Sequence, residues 1–177
     1  MTSTPKNMVK EILSGKIFIY PTDTIYGIGC NAENREAVER IKQIKQRDKD
    51  KPLSIIAPSK DWVKEHLQAT DEELNKYLPG HYTLILKKKN SSFLNHVASG
   101  ETLGIRIPAN EFTKQIQKSG VPFITTSVNL SGEPFALKLE DIAQEIKSKV
   151  DYVIESKEKL SGKPSVLIMN GKEVERK

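Results

Sequence analysis

The sequence has 177 residues, a length that suits one domain with its own buried core, so we expect a single domain over residues 1–177. Its 37% hydrophobic content, without an apolar run near the roughly 20 residues of a membrane span, predicts a soluble protein of the cytoplasm. A lone cysteine, Cys30, excludes an internal disulfide framework, and the formal net charge of +5 favours anionic partners without identifying one.

The first predicted elements alternate between helix and strand. Apolar residues recur at helical spacing from Met8 to Leu13, and the β-rich run KIFIY follows and is closed by Pro21. A second helix begins after the capping residue Asn34 and ends near Lys45. The apolar run PLSIIA is then predicted to be a buried strand.

The later segments continue this alternation. Helices are predicted over DWVKEHL, DEELNKYL, NEFTKQIQKSG and LEDIAQEIKSKV, and strands over YTLILK, LGIRI, PFITTS, YVI and SVLIM. Strands that alternate with helices indicate an α/β domain. Because several strands crowd together between Tyr82 and Ile107, the sheet is predicted to be mixed rather than purely parallel.

Familiar catalytic signatures are missing from the sequence. Neither SGKIF nor SGKPS has the earlier glycine of a Walker A loop, and GIGCNA lacks the strand-to-helix context of a dinucleotide fingerprint. There is no Ser-His-Asp arrangement and no G-x-S-x-G elbow. The sequence therefore gives no support to covalent acyl chemistry.

Short polar side chains follow two of the predicted strands. YPTDTIYGIG places Asp23 and Thr24 past one strand, and FITTSVNLSG places Ser127 and Asn129 past another. Ligands of α/β sheets bind outside strand ends, although these residues also suit ordinary turns. Alternation in LGIRIP directs Arg106 away from its apolar neighbours, either into a cavity or toward solvent.

The segment IKQRDKDKPLSII concentrates charge directly after a predicted helix. Lys45 suits a helix C-terminus, where the macrodipole favours a cation. Arg47, Lys49 and Lys51 alternate with acidic residues, so an extended backbone would place these three cations on one side. The segment is predicted to form a cationic rim for an anionic ligand, with a solvated charged loop as the alternative.

Taken in order, YPTDTIYGIGCNA, IKQIKQRDKDKPLSII, LPGHYTLIL, LGIRIP and TTSVNLSGEP resemble the YrdC-type domain of threonylcarbamoyl-AMP synthases, from about Gly15 to Arg176. The resemblance implies a twisted mixed sheet flanked by helices around a basic concave cavity. It also implies a nucleotidyltransferase that makes L-threonylcarbamoyladenylate and pyrophosphate from L-threonine, bicarbonate and ATP. Partner proteins would then transfer the threonylcarbamoyl group to a tRNA adenosine beside the anticodon, with tRNA as a further candidate partner.

The same resemblance implies roles for individual residues. The lysine-x-arginine and serine-x-asparagine pairs of the family are present as Lys45, Arg47, Ser127 and Asn129. The threonine and carbamate site would comprise Thr24, Arg106, Ser127 and Ser165. The ATP site would comprise Lys45, Arg47, Lys51, Thr102, Asn129 and Arg176, with Lys45 and Arg47 as the catalytic pair. Magnesium is expected with the phosphates of ATP rather than on protein ligands.

Several residues depart from the family pattern. Asp48 replaces the usual proline, and Ile56 stands where some relatives have a histidine near threonine. The positions after SGEP, often serine and threonine, are Phe135, Ala136 and Leu137, and Val166 stands where threonine is common. These departures are expected to weaken individual contacts more than the family resemblance.

Two other functions are compatible with a domain of this type. A noncatalytic module that binds double-stranded RNA or tRNA would use the positive charge, although the aromatic content is 6% and no base-stacking signature is present. Carbamoyl transfer in hydrogenase maturation resembles a third use of the domain, and is expected inside much longer proteins.

Overall fold

The computed structural model describes residues 4–48, 50–130, 132–156 and 159–175. Its helices are α1 (Met8–Leu13), α2 (Arg35–Ile44), α3 (Lys60–His66), α4 (Asp71–Tyr77), α5 (Glu111–Ser119) and α6 (Gln144–Lys147). Its strands are β1 (Phe18–Pro21), β2 (Tyr26–Gly29), β3 (Ser54–Ile56), β4 (Tyr82–Lys87), β5 (Thr102–Arg106), β6 (Phe123–Ser127), β7 (Tyr152–Val153), β8 (Val166–Met169) and β9 (Lys172–Val174). None of the helices in the described ranges is both long enough and apolar enough to cross a membrane.

The strands form one mixed sheet in the order β7-β1-β2-β6-β3-β5-β4-β8-β9. Strands β1 and β2 pair antiparallel, as do β2 with β6 and β4 with β5. Strand β3 pairs parallel with β5, and β4 pairs parallel with β8. The predicted mixed α/β sheet flanked by helices is confirmed.

Strand β2 lies in a segment where the sequence patterns predict no strand. Its residues Tyr26–Gly29 contain two glycines, which weaken the usual strand signal. A Cβ atom at Gly29 would lie 1.9 Å from the backbone oxygen of Ile124, so the close approach of β2 and β6 requires glycine there. Strand β9, which pairs antiparallel with β8, was likewise not predicted.

The prediction of one helix over LEDIAQEIKSKV is wrong. A 3-10 turn at Leu139–Asp141 is followed by extended backbone at Ile142 and Ala143 and then by α6. The carboxylate of Asp141 accepts hydrogen bonds from the backbone N–H groups of Leu137 and Lys138, which stabilises the separate turn. The extended step also places the Ile142 side chain in the core.

One face of the sheet carries the larger apolar core. Ile28, Ile55 and Ile105 are fully buried on this face, beside the buried residues of α2 and α3 such as Ile41 and Val63. Helix α2 presents an apolar stripe of the predicted kind, and its N-cap residue accepts a backbone hydrogen bond through its side chain.

The opposite face is divided into two parts. Helices α1 and α5 cover one part, where Phe18, Tyr20, Phe112 and Phe123 form an aromatic cluster; the rings of Tyr20 and Phe112 stack at 4.5 Å. Toward the other part, strand β6 continues on the same face with polar side chains and ends at Ser127. This second part of the face holds the candidate site.

Candidate functional site

A cavity of about 290 Å³ opens over the polar part of the sheet, between the ends of β1 and β6 and the segment that leads into β3. The charged side chains that line it, among the described residues, are Arg47, Lys51 and Arg106. Six of the predicted site residues line this one cavity: Thr24, Arg47, Lys51, Arg106, Ser127 and Ser165.

Arg106 forms the closed end of the cavity and is 5% exposed. Its guanidinium donates hydrogen bonds to the carboxylate of Asp23 and, at 3.3 Å, to the hydroxyl oxygen of Thr24. Burial lowers the pKa of Arg106, whereas the nearby charge of Asp23 opposes that shift. The buried Nε of Arg106 has no hydrogen-bond partner in the described chain. An arginine with an unused N–H donor can bind a ligand carboxylate.

The turn after β1 positions Thr24 beside Arg106. The hydroxyl of Thr22 donates to the backbone oxygen of Ile25 at 2.7 Å and accepts from the backbone N–H of Thr24 at 3.1 Å. The hydroxyl groups of Thr22 and Thr24 are 2.9 Å apart. Hydroxyl-to-backbone bonds of this kind stabilise tight turns, so the turn holds Thr24 in a fixed orientation.

Ser165 reaches the cavity from the residue before β8. Its hydroxyl lies 2.7 Å from the hydroxyl of Thr83 on β4. Thr83 precedes Leu84, which pairs with Ile105 in the antiparallel register, so Thr83 lies beside Arg106, the residue after Ile105. Thr83 was not among the predicted site residues, although alternation in YTLILK places its side chain on the face opposite that of Leu84.

Lys45 lies beneath the chain segment that carries Ser127 and is 2% exposed. Its ammonium donates to the backbone oxygens of Ser127 and Asn129, the latter at 2.7 Å, and to the side-chain oxygen of Asn129 at 3.2 Å. Burial, and secondarily the charge of Arg47, lowers the pKa of Lys45 to about 7. Lys45 therefore holds the serine-x-asparagine segment in place instead of lining the cavity.

The segment after α2 forms a turn and does not have the extended backbone that would place its cations on one side. The backbone N–H groups of Asp50 and Lys51 both bond to Asp48, to its carboxylate and its backbone oxygen respectively, each at 3.1 Å. The prediction of alternating sides is wrong because Asp48 closes this turn. The turn nevertheless directs Arg47 and Lys51 into the cavity, while Lys49 lies outside the described residues.

Arg47 is fixed at the rim of the cavity by its own chain. Its Nη2 donates to the backbone oxygen of Pro52 at 2.8 Å, and its Nε lies 3.4 Å from the backbone oxygen of Lys51. Burial lowers the pKa of Arg47, but an arginine keeps its charge at neutral pH. The rim thus presents a half-buried, oriented cation to the cavity.

A family model described as "Telomere recombination", the Sua5/YciO/YrdC model, matches residues 10–175. The chain belongs to the Sua5/YciO/YrdC family. This membership confirms the predicted resemblance to YrdC-type domains.

Curated relatives in this family are named as threonylcarbamoyl-AMP synthases. A Methanocaldococcus jannaschii protein, provisionally so named, is 40% identical over 162 residues, which cover 90% of this chain and 76% of the relative. The Vibrio campbellii threonylcarbamoyl-AMP synthase is 26% identical over 169 residues, which cover 90% of both chains.

A solved structure shows the same fold. Pyrococcus abyssi Sua5 complexed with L-threonine superimposes with a TM-score of 0.80 and 30% identity, covering 91% of this chain. The match covers 49% of that Sua5 chain, so the present chain spans about half the length of this Sua5.

Not every predicted site residue of this Sua5/YciO/YrdC member lines the cavity. Thr102 begins β5 at the end remote from Arg106, and Asn129 is turned toward Lys45. Arg176 lies outside the described residues. Ile56 packs in the aromatic cluster.

One further residue at the site was quoted in the sequence motifs but not assigned a role. Asp23 forms an ion pair with Arg106, and both side chains are largely buried. In the sequence, Asp23 is marked only by its position in the segment between β1 and β2. That position does not identify Arg106 as its partner.

The cavity offers cations and hydroxyl groups rather than metal ligands. Among the described residues there is no group of three or more His, Cys, Asp or Glu side chains that could hold a metal ion. The carboxylate of Asp23 is engaged by Arg106. Such a site suits the binding and alignment of anionic substrates.

Proposed function

We propose that this protein is an L-threonylcarbamoyladenylate synthase, a nucleotidyltransferase that uses L-threonine, bicarbonate and ATP. The observation that carries the proposal is one cavity with Arg106 at its closed end and Arg47 and Lys51 at its rim. The same cavity contains the hydroxyl groups of Thr24 and Ser127. The names of the family relatives support this assignment.

The closed end of the cavity is the proposed threonine site. Arg106 would bind the amino-acid carboxylate, since its buried Nε still has a hydrogen bond to donate. The hydroxyl groups of Thr24, Ser127 and Ser165 would contact the remaining polar groups of threonine and its carbamate. The complex of P. abyssi Sua5 with L-threonine supports a threonine site in this fold.

The rim is the proposed ATP phosphate site. Arg47 and Lys51 would neutralise the phosphates, and Lys45 would support them by holding Ser127 and Asn129. Thr102 and Arg176 remain members of the proposed ATP site. Thr102 lies at the end of β5 remote from Arg106, and Arg176 lies outside the described residues. Mg²⁺ would enter with the phosphates as part of the substrate, because the nearby carboxylate is committed to Arg106.

The proposed reaction joins two anions. The threonine amine and bicarbonate form a carbamate with loss of water, and a carbamate oxygen then forms a bond to the α-phosphorus of ATP. The bond from that phosphorus to the bridging oxygen breaks, and pyrophosphate leaves. Arginine and lysine reduce the repulsion between the reactants and align them, which requires no covalent bond to the protein.

The product would be consumed by a threonylcarbamoyl transferase that acts on a tRNA adenosine beside the anticodon. An adenylate is a mixed anhydride, so its carbonyl carbon is activated for attack by a nucleophilic amine. We therefore place this chain before the transfer step, with the transferase proteins as its functional partners.

The deciding experiment measures pyrophosphate release from ATP with and without threonine and bicarbonate, followed by the mass of the product. We expect release that depends on both co-substrates and a product with the mass of threonylcarbamoyl-AMP. ATP turnover that is independent of threonine would overturn the proposal. RNA affinity that falls steeply with salt, without such turnover, would instead support the RNA-binding alternative.

A further inference from the structure

A single exposed aromatic ring lies at the rim of the cavity. Phe135 lines the same cavity as Arg47 and Ser127, yet its side chain is exposed, with 42% of the residue surface accessible. Isolated exposed apolar residues are common on proteins, so exposure by itself does not indicate a function. The backbone around this ring supplies a second observation.

Hydrogen bonds fix the chain on both sides of Phe135. On the N-terminal side, the Asn129 amide donates to the backbone oxygen of Glu133 at 2.5 Å. On the C-terminal side, the backbone N–H of Tyr26 donates to the backbone oxygen of Ala136 at 3.2 Å. The backbone that carries the exposed ring is therefore held at the rim by the serine-x-asparagine segment and by β2.

We propose that Phe135 stacks on the adenine base of ATP. An aromatic ring on an anchored backbone, beside cations that can bind phosphate, matches the two halves of a nucleotide, and base–aromatic stacking is a common source of affinity. The amino acid is assigned to Arg106 at the closed end, which leaves the open rim for the base. This inference rests on the proposed function, and adds a base contact at a position where the family often has serine.

The test compares Phe135→Ala with the matched control Leu137→Ala. Leu137 lies in the same chain segment and is 44% exposed, but it does not line this cavity. We expect Phe135→Ala to raise KM for ATP about tenfold, the size typical of one lost base–aromatic stack, with KM for threonine within about twofold. Leu137→Ala should leave both constants unchanged.

Two further measurements separate a base contact from a general disturbance. Inorganic tripolyphosphate has no base, so its inhibition constant should be equal in the unaltered protein and in Phe135→Ala. Phe135→Trp should have the KM for ATP of the unaltered protein. The tryptophan fluorescence of this variant should fall when ATP binds but not when tripolyphosphate binds. Phe135→Leu keeps an apolar side chain without a ring and should resemble Phe135→Ala.

Each contrary result has a distinct meaning. An unchanged KM for ATP in Phe135→Ala would overturn the stacking inference alone, as would an increase confined to KM for threonine. Equal losses in Phe135→Ala and Leu137→Ala would overturn it in favour of a structural role for the segment. Absence of threonine-dependent pyrophosphate release in the unaltered protein would overturn the proposed function itself.

Discussion

The two parts of one sheet face differ in what covers them. Where β6 begins, Phe123 packs fully buried among aromatic rings beneath α1 and α5. Where β6 ends, four positions further along the chain, Ser127 faces a cavity, so one strand passes from an apolar core to a candidate site. A change of side chains along a single strand thus accompanies the change from a face covered by helices to a face open to a ligand.

The two parts also differ in how completely their polar groups are paired. In the aromatic part, the Tyr20 hydroxyl donates a hydrogen bond to the backbone oxygen of Ile124 at 3.1 Å. The cavity part retains a buried arginine nitrogen, Nε of Arg106, without a partner in the described chain. Buried unsatisfied donors cost stability, so this part of the fold is expected to serve binding and the aromatic part to serve stability.

The largest expected effect tests the aromatic part. Phe123→Ala removes a fully buried ring and should lower the free energy of unfolding by about 3–5 kcal/mol. Urea denaturation measures this loss, and Leu13→Ala, at a residue 49% exposed on α1, is the control. Threonine-dependent activity per folded molecule should persist, and its selective loss would contradict the division between the two parts.

Removal of Arg47 tests the cavity part. Arg47→Ala should reduce kcat/KM for pyrophosphate release by about 100- to 1000-fold, as expected when a preorganised charge contact is lost. Its free energy of unfolding should change by only about 0.5 kcal/mol, as for other changes at partly exposed positions. Arg40→Ala on the α2 surface is the control, and normal turnover of Arg47→Ala would refute the assigned role.

The Asp23–Arg106 pair sharpens the comparison, because it should affect both stability and binding. Asp23→Asn leaves the buried guanidinium without a charged partner and should cost about 1–3 kcal/mol of stability. Threonine should stabilise this variant only at higher concentrations, because Arg106 would be less well positioned for the carboxylate. Thermal denaturation across a threonine series measures both effects. Equal threonine dependence of the variant and the unaltered protein would contradict a positioning role for Asp23.

The remaining effect concerns pH. Because the pKa of Lys45 is lowered to about 7 in the folded protein, the unfolded chain binds more protons above that pH. Stability from this group should therefore rise with pH above about 7, by at most about 1.4 kcal/mol per pH unit, and level off below it. Activity should fall over the same range as the ammonium loses its charge.

The control for this pH effect is Lys45→Met, which cannot titrate at that position. Its free energy of unfolding, subtracted from that of the unaltered protein at each pH, isolates the lysine. A difference that does not change between pH 6 and pH 9 would show that Lys45 stays charged throughout. The hydrogen bonds to the oxygens of Ser127 and Asn129 would then outweigh burial in setting the pKa of Lys45.

Much of the fold was predictable because its signals are local. The apolar stripe and the cap of α2 lie within a dozen residues, and both are found as predicted. Strand β2 was missed because its glycines carry no strand preference, and only its pairing with β1 and β6 makes it a strand. The turn closed by Asp48 was missed because alternating charge is compatible with an extended segment or a turn.

The sequence by itself determined the kinds of chemistry available: hydroxyl groups and cations after strands, and no nucleophile with its base. Tertiary structure alone decided which of these groups meet. Lys45 reaches Ser127 across 82 residues of chain, and Arg106 reaches Asp23 across 83. Sheet order and strand register set such contacts, and these depend on packing between segments that are far apart in the chain.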